Sequence, residues 1–251
     1  MNANKHAVVT GGGTGVGESI ALKLSNSCSK VTILGRREEV LKTVSEKKDN
    51  INYRICDVSK YDEVEGCYND IRKQYGNISI VVANAGIAKS KPFNKMAVED
   101  ITSLIDVNLV GVFNSFKLAL EDMKNFGWGR MIAISSTAGL KGYSYVSSYC
   151  ASKHAVIGLI RSLSLELAKE GITVNAVCPS YVDTPMTDRT IKNITQLTKL
   201  SAEEAFKQLV ESNPQKRLIQ PIEIAETIDW LCNNYSNSIN GQSISISGGE
   251  I

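Results

Sequence analysis

The chain has 251 residues, 43% apolar and 22% charged, with 28 Lys and Arg against 26 Asp and Glu and a net charge of +2. That length holds one large domain or two small ones. The balanced charge argues against nucleic acid or an anionic membrane as the main partner, and no run approaches the ~18 consecutive apolar residues expected of a membrane span.

The opening MNANKHAVVT runs directly into a strand-like segment, with no secretory leader expected. Short runs rich in Val and Ile follow: HAVVT, VTILG, INYRICDV, ISIVVANAG, GRMIAISS, ITVNAVCP and finally QSISIS. Most are apolar on both sides, which suits strands buried on both faces of a parallel sheet. Between them lie amphipathic stretches: residues 17–27, 37–48, 61–76, one long helix over 97–127, and the stretch from Ser147 that carries Tyr149 and Lys153. A last helix over 222–234 precedes the final strand. The basic run at Lys47 and Lys48 reads as a solvated helix end. Strands alternating with helices predict an α/β fold, a single-domain doubly wound parallel sheet of about seven strands with helices on both faces. No linker or internal repeat divides residues 1–251. Residues 185–217 break the alternation, are polar and helix-prone, and are expected to form a lid over a site.

Six Cys stand at 28, 56, 67, 150, 178 and 232 without a CxxC pair, and only two His are present. The cysteines read as buried free thiols in a reducing, cytoplasmic setting. Two His leave little material for a metal site or a Ser/His/Asp triad, so no metal is expected. His154 reads as surface or packing.

The first strand-to-helix junction, VVTGGGTGVGESIALKL, places Gly11, Gly12, Gly13, Gly15 and Gly17 where a tight turn meets a helix N-terminus. Such a junction lets backbone approach a pyrophosphate and points free N–H groups at it. A strict GxGxxG would need glycine at 18, where Glu18 stands; TGxxxGxG from Thr10 fits instead. At the end of the second strand stand Gly35, Arg36 and Arg37 in place of an acid. A guanidinium at Arg36 suits a 2′-phosphate better than a 2′-hydroxyl, so NADP(H) is preferred over NAD(H), which stays possible.

TGxxxGxG, the Asn84-Ala85-Gly86 stretch after the fourth strand, and YxxxK at Tyr149 and Lys153 together resemble the short-chain dehydrogenase/reductase family from Val8 to Gly249. The resemblance implies a Rossmann-fold NAD(P)-dependent oxidoreductase, a homotetramer, acting on a small-molecule substrate. It implies cofactor contacts from Gly11, Gly13, Thr14, Gly15, Val16, Gly17 and Arg36, with Asp57 and Val58 at the adenine. It also implies contacts from Asn84, Ala85 and Gly86 along the ribose, and from Pro179, Val182 and Thr184 at the carboxamide. Tyr149 and Lys153 would touch the cofactor as well as the substrate. Ala83 stands where the family has Asn, and Ser180 where it usually has Gly. The implied catalytic residues are Asn108, Ser136, Tyr149 and Lys153. Ser136 lies thirteen residues before Tyr149, matching the family interval, with Ser135 its competitor.

Ketone reduction needs a polarised carbonyl, a proton for the forming alkoxide and a positioned hydride source. A Tyr hydroxyl is a weak acid, and Lys153, one helical turn from Tyr149, is expected to lower its pKa. Asn108 is expected to hold a water linking Lys153 to solvent. The closing stretch from Asn213 looks most like 3-oxoacyl thioester reductases and 3-hydroxyacyl-CoA dehydrogenases. The lid's six basic residues, Arg189, Lys192, Lys199, Lys207, Lys216 and Arg217, against four acids could meet a coenzyme A or phosphopantetheine arm. The alternative is an NAD-linked dehydrogenase of a sugar, polyol or other small secondary alcohol; a silent nucleotide-binding sensor is disfavoured because the Asn, Ser, Tyr and Lys are all present.

Overall fold

The computed structural model describes residues 5–251; the reading of the N-terminus as leaderless falls partly outside them. Seven strands, β1 (His6–Thr10), β2 (Lys30–Gly35), β3 (Ile51–Ile55), β4 (Ile80–Ala83), β5 (Gly129–Ile134), β6 (Ile172–Pro179) and β7 (Ser243–Ile246), form one sheet. Every pair is parallel and the order is β3-β2-β1-β4-β5-β6-β7. The chain winds outward from β1 to β3, then crosses back to β4 and winds the other way. Such a reversal opens a crevice beyond the C-terminal ends of β1 and β4.

Side-chain alternation sorts the sheet into two apolar layers. Ala7, Val9, Ile33 and Ile132 pack with Ile20 and Leu24 of α1 (Gly15–Leu24), and with Ile228 of the last helix. Val8, Leu34, Val81 and Met131 pack on the other face. There they meet Tyr68 of α3 (Tyr61–Tyr75), reached after α2 (Glu38–Ser45), and Phe116 and Val156 beyond it. Each such buried aliphatic side chain contributes about 1.5–3 kcal/mol. Double burial holds for the inner strands and fails at the edges. Asn52 to Arg54 of β3 and all of β7 are half-buried, because an edge strand lacks one neighbour.

The long helix expected over 97–127 is three pieces. These are α4 (Val98–Ile105), a π-helical turn (Asp106–Val110) and α5 (Gly111–Phe126). The stretch Val98–Phe126 is, against expectation, long and apolar enough to cross a membrane by length and composition. Here its Phe116, Ala119 and Met123 cover the sheet. After α6 (Ser147–Glu166) and β6, the 185–217 segment forms α7 (Pro185–Leu197) and α8 (Ala202–Val210), both outside the sheet. It returns through the Val182↔Ile219 bridge to α9 (Pro221–Leu231).

Candidate active site

The residues expected to bind and react lie together at the C-terminal edge of the sheet. Gly15, the first residue of α1, has φ +58, and a Cβ there would meet Thr184 Cγ2 at 2.9 Å. The β1 turn and the segment after β6, some 170 residues apart in sequence, therefore touch across the crevice. A Cβ on Gly17 would come within 2.2 Å of the Gly11 carbonyl oxygen, so only glycine lets the helix start this close beneath the turn. Thr14, the N-cap, makes no side-chain cap bond, which leaves first-turn N–H groups of α1 without a side-chain acceptor. This cradle fits a pyrophosphate. Gly13 serves packing: a Cβ there would strike Val40 Cγ2 at 2.8 Å, so its absent side chain makes room for α2. Val16 packs against the α1 side of the core.

Two residues brace the turn. The buried Thr10 hydroxyl accepts from Asn84 N at 3.0 Å and Ala85 N at 2.9 Å. Asn84 Nδ2 donates to Thr10 O at 3.0 Å and Gly11 O at 3.2 Å. The side chain of Asn84, expected along a ribose, is thus committed to holding β1 and β4 together, and only its backbone is left to line the crevice. Thr10 was not among the expected site residues; the Thr in TGxxxGxG was its only sequence signal.

Arg36 lies just beyond β2, 68% exposed, with its guanidinium 3.9 Å from Asp57 Oδ2. Burial pushes the Asp57 carboxyl up, but hydrogen bonds from Ser59 and the charges of Arg36 and Lys60 bring it below its ordinary value. Asp57 is an anion that holds Arg36 near the crevice. Val58 is buried, and a Cβ on Gly111 would reach its Cγ2 at 2.7 Å. That contact makes Val58 the floor between the β3 end and α5.

At the other end of the crevice, Ser136 caps a short 3-10 turn after β5, its Oγ accepting from Ala138 N at 3.1 Å. The Ser136 side chain lies close enough to the Tyr149 phenol to pull its pKa down. Ser135 points elsewhere, its Oγ donating to Lys153 O at 3.1 Å, which leaves Ser136 as the serine beside Tyr149. Lys153 is buried, with Nζ 5.7 Å from the Tyr149 ring centroid and donating to Ile134 O at 2.7 Å. Burial pushes the Tyr149 phenol up to about 12, against the pull of Ser136. Burial likewise pushes the Lys153 ammonium down to about 8. Desolvation of the phenolate thus sets the direction of the phenol's shift.

Asn108 sits in the π-helical turn, fully buried. Its Oδ1 accepts from Ile87 N at 2.9 Å, and its Nδ2 donates to Ile87 O at 2.9 Å and to Ser152 Oγ at 3.0 Å. Both protons of the Asn108 amide are thereby engaged. It ties the segment after β4 to α6. Gly86 lies in between, where a Cβ would stand 3.2 Å from Asn108 Oδ1 and 3.6 Å from Lys153 Nζ. His154 faces away, its Nδ1 2.9 Å from Cys150 O.

Pro179 ends β6, and its carbonyl meets Ser136 Oγ at 3.4 Å. Val182 is buried and Thr184 caps α7. Of the six basic residues of the 185–217 segment, Lys207, Lys216 and Arg217 form ion pairs with Glu203, Glu211 and Glu223. Arg189, Lys192 and Lys199 make none among the described residues. Among those same residues no cluster of His, Cys, Asp or Glu could hold a metal ion.

Comparison with known proteins places this geometry. The family model of the short chain dehydrogenases matches residues 5–195. A putative ketoacyl reductase of Streptomyces coelicolor is 35% identical over 249 residues, covering 97% of this chain and 95% of its own. A 3-oxoacyl-acyl-carrier-protein reductase of Rickettsia prowazekii is 35% identical over 246 residues, covering 98% and 96%. The crystal structure of an actinorhodin polyketide ketoreductase with NADPH superposes with a TM-score of 0.95 at 34% identity, over 100% of this chain and 99% of that one. With a seven-stranded parallel sheet, a glycine cradle after β1 and a Ser–Tyr–Lys cluster after β5, the chain belongs to the short chain dehydrogenase family.

Proposed function

We propose that this chain is an NADPH-dependent oxidoreductase that reduces a ketone, in the form of a 3-oxoacyl thioester, to a secondary alcohol. The observation that carries the reading is Tyr149 with Ser136 beside its phenol and the buried Lys153 ammonium 5.7 Å from its ring. The ketoacyl reductases among its relatives support it.

In this reading the cradle of Gly11, Gly15 and Gly17 takes the pyrophosphate, Arg36 the 2′-phosphate, and Asp57 and Val58 the adenine. The backbone of Asn84 to Gly86 lines the ribose, while Pro179, Val182 and Thr184 flank the nicotinamide end. When bound, the nicotinamide supplies the hydride. Ser136 Oγ holds the substrate oxygen, and Tyr149 Oη delivers its proton to that oxygen. A phenol pushed up to about 12 by burial stays protonated at neutral pH, which suits the reductive direction. Lys153 holds the ribose hydroxyls and supplies positive charge where the phenolate forms. Asn108 fixes Ser152, one residue before Lys153. The 185–217 segment is read as a lid, with Arg189, Lys192 and Lys199 as its available cations for an anionic carrier.

Two measurements test this. Arg36→Asp removes a charge-assisted contact, worth about 1.5–3 kcal/mol, and adds repulsion. The NADPH-over-NADH preference in binding titrations should fall about 10–100-fold and pass to NADH. Unchanged preference would return Arg36 to the status of a solvated loop charge. In a steady-state panel, acetoacetyl-CoA should give kcat/KM well above uncharged ketones of similar size, and equal values would sink the thioester reading.

A further inference from the structure

We propose that Glu250 is a positioning residue, whose buried carboxylate ties the 137–143 loop, the segment after β6 and the end of the lid into one wall of the substrate pocket. The inference rests on the reading of the pocket given above and extends it to a residue far in sequence from the Ser–Tyr–Lys cluster.

The Glu250 side chain is 1% exposed. Lys141 Nζ lies 2.9 Å from Oε1, and the Tyr143 hydroxyl donates to that same oxygen. Ser180 Oγ donates to Oε2, and Ser212, just past α8, lies close enough to help lower the carboxyl's pKa. Burial pushes the Glu250 carboxyl up, yet these four partners together hold it below its ordinary value, so it is an anion. Three separate segments thus converge on one carboxylate. Gly248 and Gly249, at φ +64 and +95, turn the chain to deliver it, and a Cβ on Gly248 would strike Asn213 Oδ1 at 2.2 Å.

Two of the partners, Tyr143 and Ser180, lie close in the chain or in space to Ser136. The Tyr143 hydroxyl meets Thr137 Oγ1 at 2.7 Å, and Thr137 follows Ser136. Ser180 follows Pro179, whose carbonyl touches Ser136, and precedes Tyr181, which is close enough to Tyr149 to help raise its phenol. Stability alone does not call for such a group, since apolar replacements of buried ion pairs are often as stable. What a multiply bonded carboxylate supplies is a fixed geometry: oxygens that accept from several segments at set angles. Only substrate contacts made by that wall should then depend on it, while the cofactor cradle on β1 and β4 should not.

The test uses the full chain with Glu250→Gln, Glu250→Ala and, from the exposed end of the cluster, Lys141→Ala. The measurements are kcat and KM for acetoacetyl-CoA, NADPH Kd by fluorescence, and hydrogen exchange of residues 137–145. Expected for Glu250→Gln is a KM raised about tenfold with kcat within about threefold, the pattern of lost ground-state positioning. NADPH Kd should be unchanged, and exchange should be faster in 137–145 but not in β1 or β4. Lys141→Ala should move the same quantities less. Unchanged KM and unchanged exchange would overturn the proposal, as would NADPH affinity falling in step with KM, which marks a merely structural role. If the parent chain reduces no ketone with NADPH, the functional reading fails, and the exchange measurement still decides whether Glu250 ties the wall.

Discussion

Tyr149→Phe is expected to lower kcat for ketone reduction about 10³-fold, since a positioned general acid contributes about 10²–10⁴. NADPH affinity should stay within a few-fold of the parent. The phenol lies beside Ser136 and desolvation raises its pKa, so removing the hydroxyl deletes the proton source while the ring keeps its packing. The pH profile gives a second check. With the phenol at about 12 and the Lys153 ammonium at about 8, the phenol keeps its proton from pH 6 to 9, and Lys153 loses its charge as pH rises through about 8. In the parent chain kcat/KM for reduction should therefore be flat below that value and fall above it. A Phe variant within tenfold of parent turnover would remove Tyr149 from the mechanism.

Gly17→Ala is expected to cost about 3 kcal/mol of stability, in the range for steric overpacking. For a chain of this size that is a fall in Tm of roughly 6–12 °C. The new Cβ would stand 2.2 Å from the Gly11 carbonyl oxygen and 2.5 Å from Asn84 Nδ2. Both belong to the brace that holds β1 to β4, so neither yields without reshaping the cradle, and NADPH Kd should rise at least tenfold, or about 1.4 kcal/mol. Gly66→Ala in α3 is the matched comparison. Nothing lies within 4 Å of a Cβ there, and restoring helix propensity should stabilise the chain by about 0.5–1 kcal/mol. Thermal unfolding of the two variants with and without NADPH checks both signs. Equal behaviour would show that close backbone packing at Gly17 is not what the turn requires.

The strands, the parallel sheet and the glycine turn were legible in the sequence because each leaves a local signature. Double burial writes itself as runs such as AVVT and IVVA, a turn into a helix calls for glycine, and one-turn spacing on a helix puts Tyr149 and Lys153 on one face. The break in the long helix at Asp106–Val110 was not legible. Its apolar period continues through the π-helical turn, and what favours that turn is the pair of hydrogen bonds from Asn108 to Ile87, 21 residues away. The same holds for Thr10 bracing Asn84 and Ala85 across 74 and 75 positions, and for Glu250 meeting Tyr143 across 107. A contact between distant residues depends on how elements dock, which no window of sequence encodes. Acidity is a further case: spacing puts Lys153 beside Tyr149, but desolvation is a property of the packed site, and it pushes the phenol up. By itself the sequence determined the family and the order of elements and marked the candidate reacting side chains. Only the tertiary structure decided their protonation, their bracing and the wall that Glu250 holds, because burial and long-range hydrogen bonds exist only once the layers have closed.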